Sequence, residues 1–148
     1  LALHPSGGLL FFADSEISSV RALSLGDAPS VKTLVGAGLF DFGHVNARID
    51  KARFQHPLGV AWWPGVGEVG RLLVADSYNN AVRVIDLDRS HVDDLDDGFS
   101  CQDDLCLPLA EPAGLWADGP DRLLVSDTNN HRVLEFDLTA RTYRTWAG

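Results

Sequence analysis

The residues that could do chemistry in this chain recur at matched positions. Asp14, Asp76 and Asp127 each end a short apolar run: Leu9-Leu10-Phe11-Phe12-Ala13-Asp14, Arg71-Leu72-Leu73-Val74-Ala75-Asp76 and Arg122-Leu123-Leu124-Val125-Ser126-Asp127. Each stands before a turn rich in Ser, Thr or Asn, where a carboxylate ordinarily accepts backbone N–H groups of its own turn. A structural role in the turn is therefore expected for all three. A catalytic carboxylate set is the rival, and it suffers because equivalent positions in separate repeats lie far apart. Asn79, Asn80, Asn129 and Asn130 follow two of the aspartates and tolerate the left-handed conformation of tight turns. With Arg83, His131 and Arg132 they are expected on one rim, where repeated polar groups would make a recognition surface.

Metal chemistry finds little support. His4, His44, His56, His91 and His131 show no His-x-x-x-His or His-Glu spacing, and zinc needs three or four convergent ligands. His131 is the first of them to test. Asp93-Asp94-Leu95-Asp96-Asp97-Gly98 with Asp104 has the look of a calcium loop. However, Leu95 occupies a ligand position, and Asp104 replaces the bidentate Glu. A solvated acidic loop is expected instead. Cys101 and Cys106 are expected as free thiols, with a small disulfide loop the rival in an oxidising compartment. The aspartates around them disfavour a reactive thiolate. No nucleophile elbow, phosphate loop or dinucleotide fingerprint is present. No metal and no cofactor is expected.

The elements that must position these residues follow from the repeat. Six residues after each Asp stands Val20, Val82 or Val133, and eleven after stands Leu25, Leu87 or Leu138. Pro57-Leu58-Gly59-Val60-Ala61 matches Pro112-Ala113-Gly114-Leu115-Trp116, and Thr33-Leu34-Val35-Gly36 matches Thr145-Trp146-Ala147-Gly148. The Asp-to-Asp separations are 62 and 51 residues, so each connection carries an insertion. Each copy reads as four short strands with no sustained helical period. The second strand is apolar on both faces, which a sheet sandwiched between neighbours requires. Asp93 and Asp94 make the fourth strand of the second copy a charged outer edge. Trp62, Trp63, Trp116 and Trp146 fall on strands and are expected mostly between sheets.

Composition bounds the rest. The 148 residues are 45% hydrophobic and 22% charged, with a net charge of −9. That is globular composition, and an acidic balance disfavours nucleic acid, whose phosphates require cations. No apolar run reaches membrane-spanning length. The Leu1-Ala2-Leu3-His4-Pro5 start has no basic region and no initiator Met, and is expected to be no signal peptide. With no Met at any position, a mature form or an excised fragment is expected. No compartment is assigned.

The sequence resembles the NHL-repeat β-propeller family. The resemblance rests on Pro57-x-Gly59-Val60-Ala61 with Leu73-Val74-Ala75-Asp76-Ser77-x-Asn79-Asn80, and on Pro112-x-Gly114-Leu115 with Leu124-Val125-Ser126-Asp127-Thr128-x-Asn130-His131-Arg132-Val133. The first copy departs from the pattern after Asp14. The stretch from Gly36 through Ala52-Arg53-Phe54-Gln55-His56-Pro57 is similar to the inter-blade connection of the thioredoxin-plus-NHL group, although no Cys-x-x-Cys occurs. The resemblance implies a six-bladed propeller. It leaves function open, because relatives of this fold serve as protein-binding platforms, RNA binders and metal-dependent lyases.

The reading is thus an all-β, NHL-type propeller of three four-stranded blades, half of a six-bladed ring. The blades span approximately 1–36, 57–98 and 112–148, with insertions 37–56 and 99–111. The expected function is a non-enzymatic binding scaffold for a protein or small ligand. A metal-dependent lyase or lactonase-like hydrolase and an RNA binder are the rivals. The expected partners are a second copy closing the ring, or the remaining blades of a longer chain, with a protein partner also open. The acidic loop Ser90–Asp104, with its six aspartates, is expected to be mobile, so that deleting Asp96–Asp104 would change stability little.

Overall fold

Short apolar segments rich in Leu and Val, separated by turn residues, become strands. The computed structural model describes residues 1–64, 70–95 and 98–148. Sheet I is β1 (Ala2–Leu3), β2 (Leu9–Asp14), β3 (Ser19–Ser24) and β4 (Ser30–Val35), in that order. The second segment adds β5 (Ala47–Arg48), β6 (Pro57–Trp63), β7 (Arg71–Asp76), β8 (Ala81–Asp86) and β9 (His91–Asp94), ordered β6-β7-β8-β9-β5 as sheet II. Sheet III is β11-β12-β13-β14-β10, from β10 (Ser100–Cys101), β11 (Pro112–Asp118), β12 (Arg122–Asp127), β13 (Arg132–Asp137) and β14 (Thr142–Ala147). The only helical segments among the described residues are 3-10 turns at Ser15–Ile17, Ser77–Asn79 and Thr128–Asn130. The turn at Pro64-Gly65 and the pair Asp96-Asp97 lie partly or wholly outside the described residues.

The sheets stack side by side on their faces. Along β7, Leu72 and Val74 pack toward sheet I with Phe11, Val60, Ile85 and Val92. Leu73 packs the other way, with Val82, Leu123, Val125 and Phe136. All of β7 except Arg71 is buried, as an apolar run covered on both faces requires. The inner strands approach closely: a Cβ on Gly59 would stand 2.1 Å from the Ala113 carbonyl oxygen, so any side chain there would force sheets II and III apart. Trp62 stacks on Phe11 with ring centroids 6.1 Å apart. Trp63 donates its indole N–H to the Pro120 carbonyl at 2.7 Å. These two tryptophans lie between sheets as expected. Trp116 and Trp146 do not, being 56% and 53% exposed.

Both connections behave differently from the sequence reading. Neither is a bare linker, since each contributes an edge strand. Ala47 of β5 pairs with Val92 of β9, and Ser100 of β10 pairs in parallel with Thr142 of β14. The charged strand β9 is therefore not an outer edge. Part of the acidic segment is packed among the described residues: Val92 is fully buried, Leu95 is nearly so, and Asp94 points at an arginine described below, while Asp93 and Asp104 stay exposed. Asp103 accepts the Thr145 backbone N–H and its hydroxyl, both at 2.8 Å. Cys101 and Cys106 are joined in a disulfide, where free thiols were expected. Pairing along β14 fixes Cys101, and the chain reverses over Asp103-Asp104-Leu105 to return Cys106 beside it.

The deletion of 96–104 is now expected to be costly. Asp103→Ala should lower stability by about 1–3 kcal/mol, the range for losing hydrogen bonds to a charged group. Reduction of the disulfide should cost on the order of 2 kcal/mol for so short a loop. Urea unfolding with and without reductant measures both.

Candidate functional site

Each β2–β3-type hairpin turns through a 3-10 segment that ends on a left-handed residue: Ser18, Asn80 and His131, at φ 52°, 54° and 54°. The turn closes on itself, with the N–H of Asn80 donating to Ser77 O and that of His131 to Thr128 O. The aspartate before it therefore has no N–H to accept within its own turn, and the expected local bond does not form. Instead the carboxylate seizes the incoming connection. Asp76 Oδ1 accepts the N–H of Gln55, 21 residues upstream, at 2.7 Å. Asp127 Oδ1 accepts the N–H of Ala110, 17 residues upstream, also at 2.7 Å.

The second carboxylate oxygen recruits the asparagine and an arginine. Asn79 Nδ2 donates to Asp76 Oδ2 and to Gly43 O, at 2.8 and 2.9 Å. Asn130 Nδ2 repeats this with Asp127 Oδ2 and Pro108 O, both at 2.8 Å. Arg83 donates to Asp76 Oδ2 at 2.8 Å, and Arg132 Nε donates to Asp127 Oδ2 at 2.7 Å. Arg132 also reaches Leu107 O at 2.8 Å. Sheet I holds a reduced form, Arg21 Nε at 2.8 Å from Asp14 Oδ2.

Arg83 is the centre of the densest cluster. It is 0% exposed and so is not a rim residue. Its Nε lies 2.6 Å from Asp94 Oδ1, its other nitrogens donate to Arg53 O and Asn46 Oδ1, and its guanidinium sits 5.3 Å from the Phe54 ring. Asp94 in turn holds Asn46 Nδ2 and His44 Nε2, each at 2.8 Å. Burial opposes the Asp94 charge, but Asn46, His44 and Arg83 together keep its carboxyl below the ordinary value of 3.8. Asp76 goes the other way: burial is the largest influence and raises its carboxyl, only partly offset by Asn79, the Gln55 N–H and Arg83.

The rim expected from sequence is thus largely internal. Arg83 is buried, Arg132 nearly so, and Asn79 and Asn130 are tied to the connections. Each of these cations is held by several acceptors at once, Asp76, Asp94, Asn46 Oδ1 and Arg53 O for Arg83 and Asp127 and Leu107 O for Arg132, which offsets the cost of taking it out of water. Asn80 faces the next sheet, its Oδ1 accepting the Glu111 N–H at 2.8 Å. Asn129 and His131 are exposed. Sequence reasoning missed Arg21, Asn46 and the inward role of Asp94. Arg21 had a signal, because it stands seven residues after Asp14 as Arg83 does after Asp76. Among the described residues no group of three or more His, Cys, Asp and Glu side chains could hold a metal ion.

No protein-family model matches the chain. Among curated proteins, the chain is 40% identical to NHL repeat-containing protein 2 of Bos taurus, over 96% of its length and 20% of the relative's. It is 34% identical to SUPPRESSOR OF QUENCHING 1, chloroplastic, of Arabidopsis thaliana, over 93% of its length and 14% of that protein's. The chain spans about a fifth or less of the length of these curated relatives. Among solved structures, an auxiliary nutrient binding protein from Bacteroides ovatus superposes with a TM-score of 0.68 at 15% identity, covering 88% of this chain and 35% of that one. That likeness bears on the fold alone.

Removing one partner of a buried ion pair leaves an uncompensated charge, so Asp76→Ala and Arg83→Ala should each cost about 3–5 kcal/mol. The double variant should cost less than their sum. Asp94 carries its own acid signature. Its folded pKa lies below its unfolded value, so its contribution is complete above 3.8 and is lost as pH falls below that. The stability gap between the native chain and Asp94→Asn should hold at neutral pH and close on acidification, as read by urea titrations across pH.

Proposed function

The chain belongs to the NHL-repeat family, and from that premise we propose that it is a non-enzymatic binding scaffold whose contact surface for a protein partner is the connection 37–56. Leu39, Phe40 and Phe42 on this connection are 55%, 88% and 53% exposed. The observation that carries the reading is that these apolar groups project from a stretch held rigidly below. Asn79 grips Gly43 O, Arg53 pairs with Asp41, Asp76 takes the Gln55 N–H, and Ala52 and Phe54 are buried. A held loop with exposed aromatic side chains is preordered for recognition and loses little entropy on binding. The repeated Asp, Asn and Arg groups support the same reading from the other side, since they serve the fold and leave few polar groups convergent for catalysis. The three sheets are taken as half of a six-bladed ring, closed by further repeats or by a second copy.

The Phe40→Ser, Phe42→Ser double variant should keep its unfolding midpoint, since exposed positions change stability by no more than about 0.5 kcal/mol. It should lose the partner proteins that the immobilised native chain retains from its own cells. Metal analysis of protein prepared without chelators provides the counter-test. One tightly bound equivalent of Ca²⁺ or Zn²⁺ would replace this reading with the metal-dependent enzyme. Micromolar RNA affinity with a steep salt slope would replace it with the RNA binder.

A further inference from the structure

We propose that the second connection carries a contact site of its own at Leu105 and Leu107, for a partner segment that offers apolar side chains flanked by Lys or Arg. The site rests on the reading of 37–56 as a contact surface and extends it one repeat along the chain. The two connections are held at matching places. Asp76 and Asp127 take the N–H groups of Gln55 and Ala110. The carbonyls of those two residues accept the N–H groups of Tyr78 and Asn129, at 3.2 and 3.1 Å. Upstream, Asn79 grips Gly43 O and Asn130 grips Pro108 O. Gly43 and Pro108 thus hold equivalent places, although 12 residues lead from Gly43 to Gln55 and only 2 from Pro108 to Ala110.

Counted back from those two carbonyls, the connections repeat one arrangement. The residue just before is apolar and exposed, Phe42 at 53% and Leu107 at 40%. So is the residue three before, Phe40 at 88% and Leu105 at 69%. The residue between each pair is tied back, Asp41 by its ion pair with Arg53 and Cys106 by its disulfide to Cys101. The second connection is pinned further, Leu107 O by Arg132 and the Asp103 carboxylate by the Thr145 N–H. Folding gains nothing from leaving four large apolar side chains in water. A braced backbone beneath them spares a partner the entropy of ordering it.

Charge selects the occupant of the second site. Asp104 stands exposed directly before Leu105, and Glu111 stands exposed four residues after Leu107. Neither carboxylate enters an ion pair among the described residues. Arg132, the cation bonded to this connection, is 8% exposed and already engaged by Asp127 and the Leu107 carbonyl. The two leucines thus lie between uncompensated negative charges. A segment with apolar anchors beside Lys or Arg satisfies both the leucines and the carboxylates, whereas an acidic segment is repelled. At the first site Leu39 stands where Asp104 does at the second, and the carboxylate of Asp41 is already paired, so the same demand for a cation is absent there.

The probe is a synthetic peptide with two leucines one residue apart between lysines, added to the native chain while its backbone amides are followed by NMR. The amides of Leu105 and Leu107 should shift, and a peptide with glutamates in place of the lysines should leave them unmoved. Added salt should weaken the binding, and Asp104→Asn should flatten that salt dependence. The Leu105→Ser, Leu107→Ser double variant should keep its unfolding midpoint and bind the peptide about tenfold more weakly, the scale of losing a central anchor. Cys106→Ser releases the tether and should also weaken binding, with β10 and Asp103 still holding the connection to β14. Three results would overturn the proposal: unmoved amides at Leu105 and Leu107, an equal response to the glutamate peptide, or equal binding by Cys106→Ser and the native chain. None of these touches 37–56, whose reading stands or falls on the Phe40→Ser, Phe42→Ser variant.

Discussion

A guanidinium with no exposure to water must be surrounded by acceptors, and that requirement organises the middle of this molecule. Arg83 sits between sheets I and II with Asp76, Asp94, Asn46 Oδ1 and the Arg53 carbonyl about it. Asp76 comes from the end of β7, Asp94 from β9, and Asn46 and Arg53 from the connection. Removing any of them would leave a buried charge short of a partner, which costs more than the pair gains over an apolar substitute. The connection is thus fixed by a desolvated cation as well as by its apolar residues. Sheet III uses a lighter version, in which the nearly buried Arg132 pairs with Asp127 and donates to the Leu107 carbonyl.

Much of the fold was legible because it rests on period and repetition. A run such as Leu72-Leu73-Val74-Ala75 admits few structures other than a strand covered on both faces. The gapless alignment on Asp14, Asp76 and Asp127 placed the three hairpins in register. What failed was anything set by contacts distant in sequence. Asp93 and Asp94 look like an edge because charge at a strand end usually marks one. Nothing local announces that Arg83 lies across the strand pair, or that Ala47 will cover β9. The cysteines failed for the same reason: their closure follows from β10 running along β14, a parallel pairing with no local sequence signal.

The candidate site shows the same division. Of Asn79, Asn80, Asn129 and Asn130, all singled out for tolerating turn geometry, only Asn80 is left-handed, and in the third sheet that place falls to His131. The asparagines before them work through their amides, each bridging a carboxylate to a carbonyl of the connection. Composition could nominate these residues for chemistry. Only the return of the connection to the turn showed that both donors of each amide nitrogen are already engaged.

The added edge strands have a consequence for how the molecule meets others of its kind. β5 caps sheet II and β10 caps sheet III, but β4 of sheet I has no such cover among the described residues. Its outward backbone groups form an open ladder along Ser30–Val35, beside the exposed Val31. A strand left in that state is a template on which a foreign strand can add, the first step toward fibrillar assembly. Lys32, exposed in the middle of β4, opposes this by placing a charge that a stacked copy would have to bury next to its own. Within the described residues, then, β4 sets an ammonium group against such addition where β9 and β14 carry an added strand.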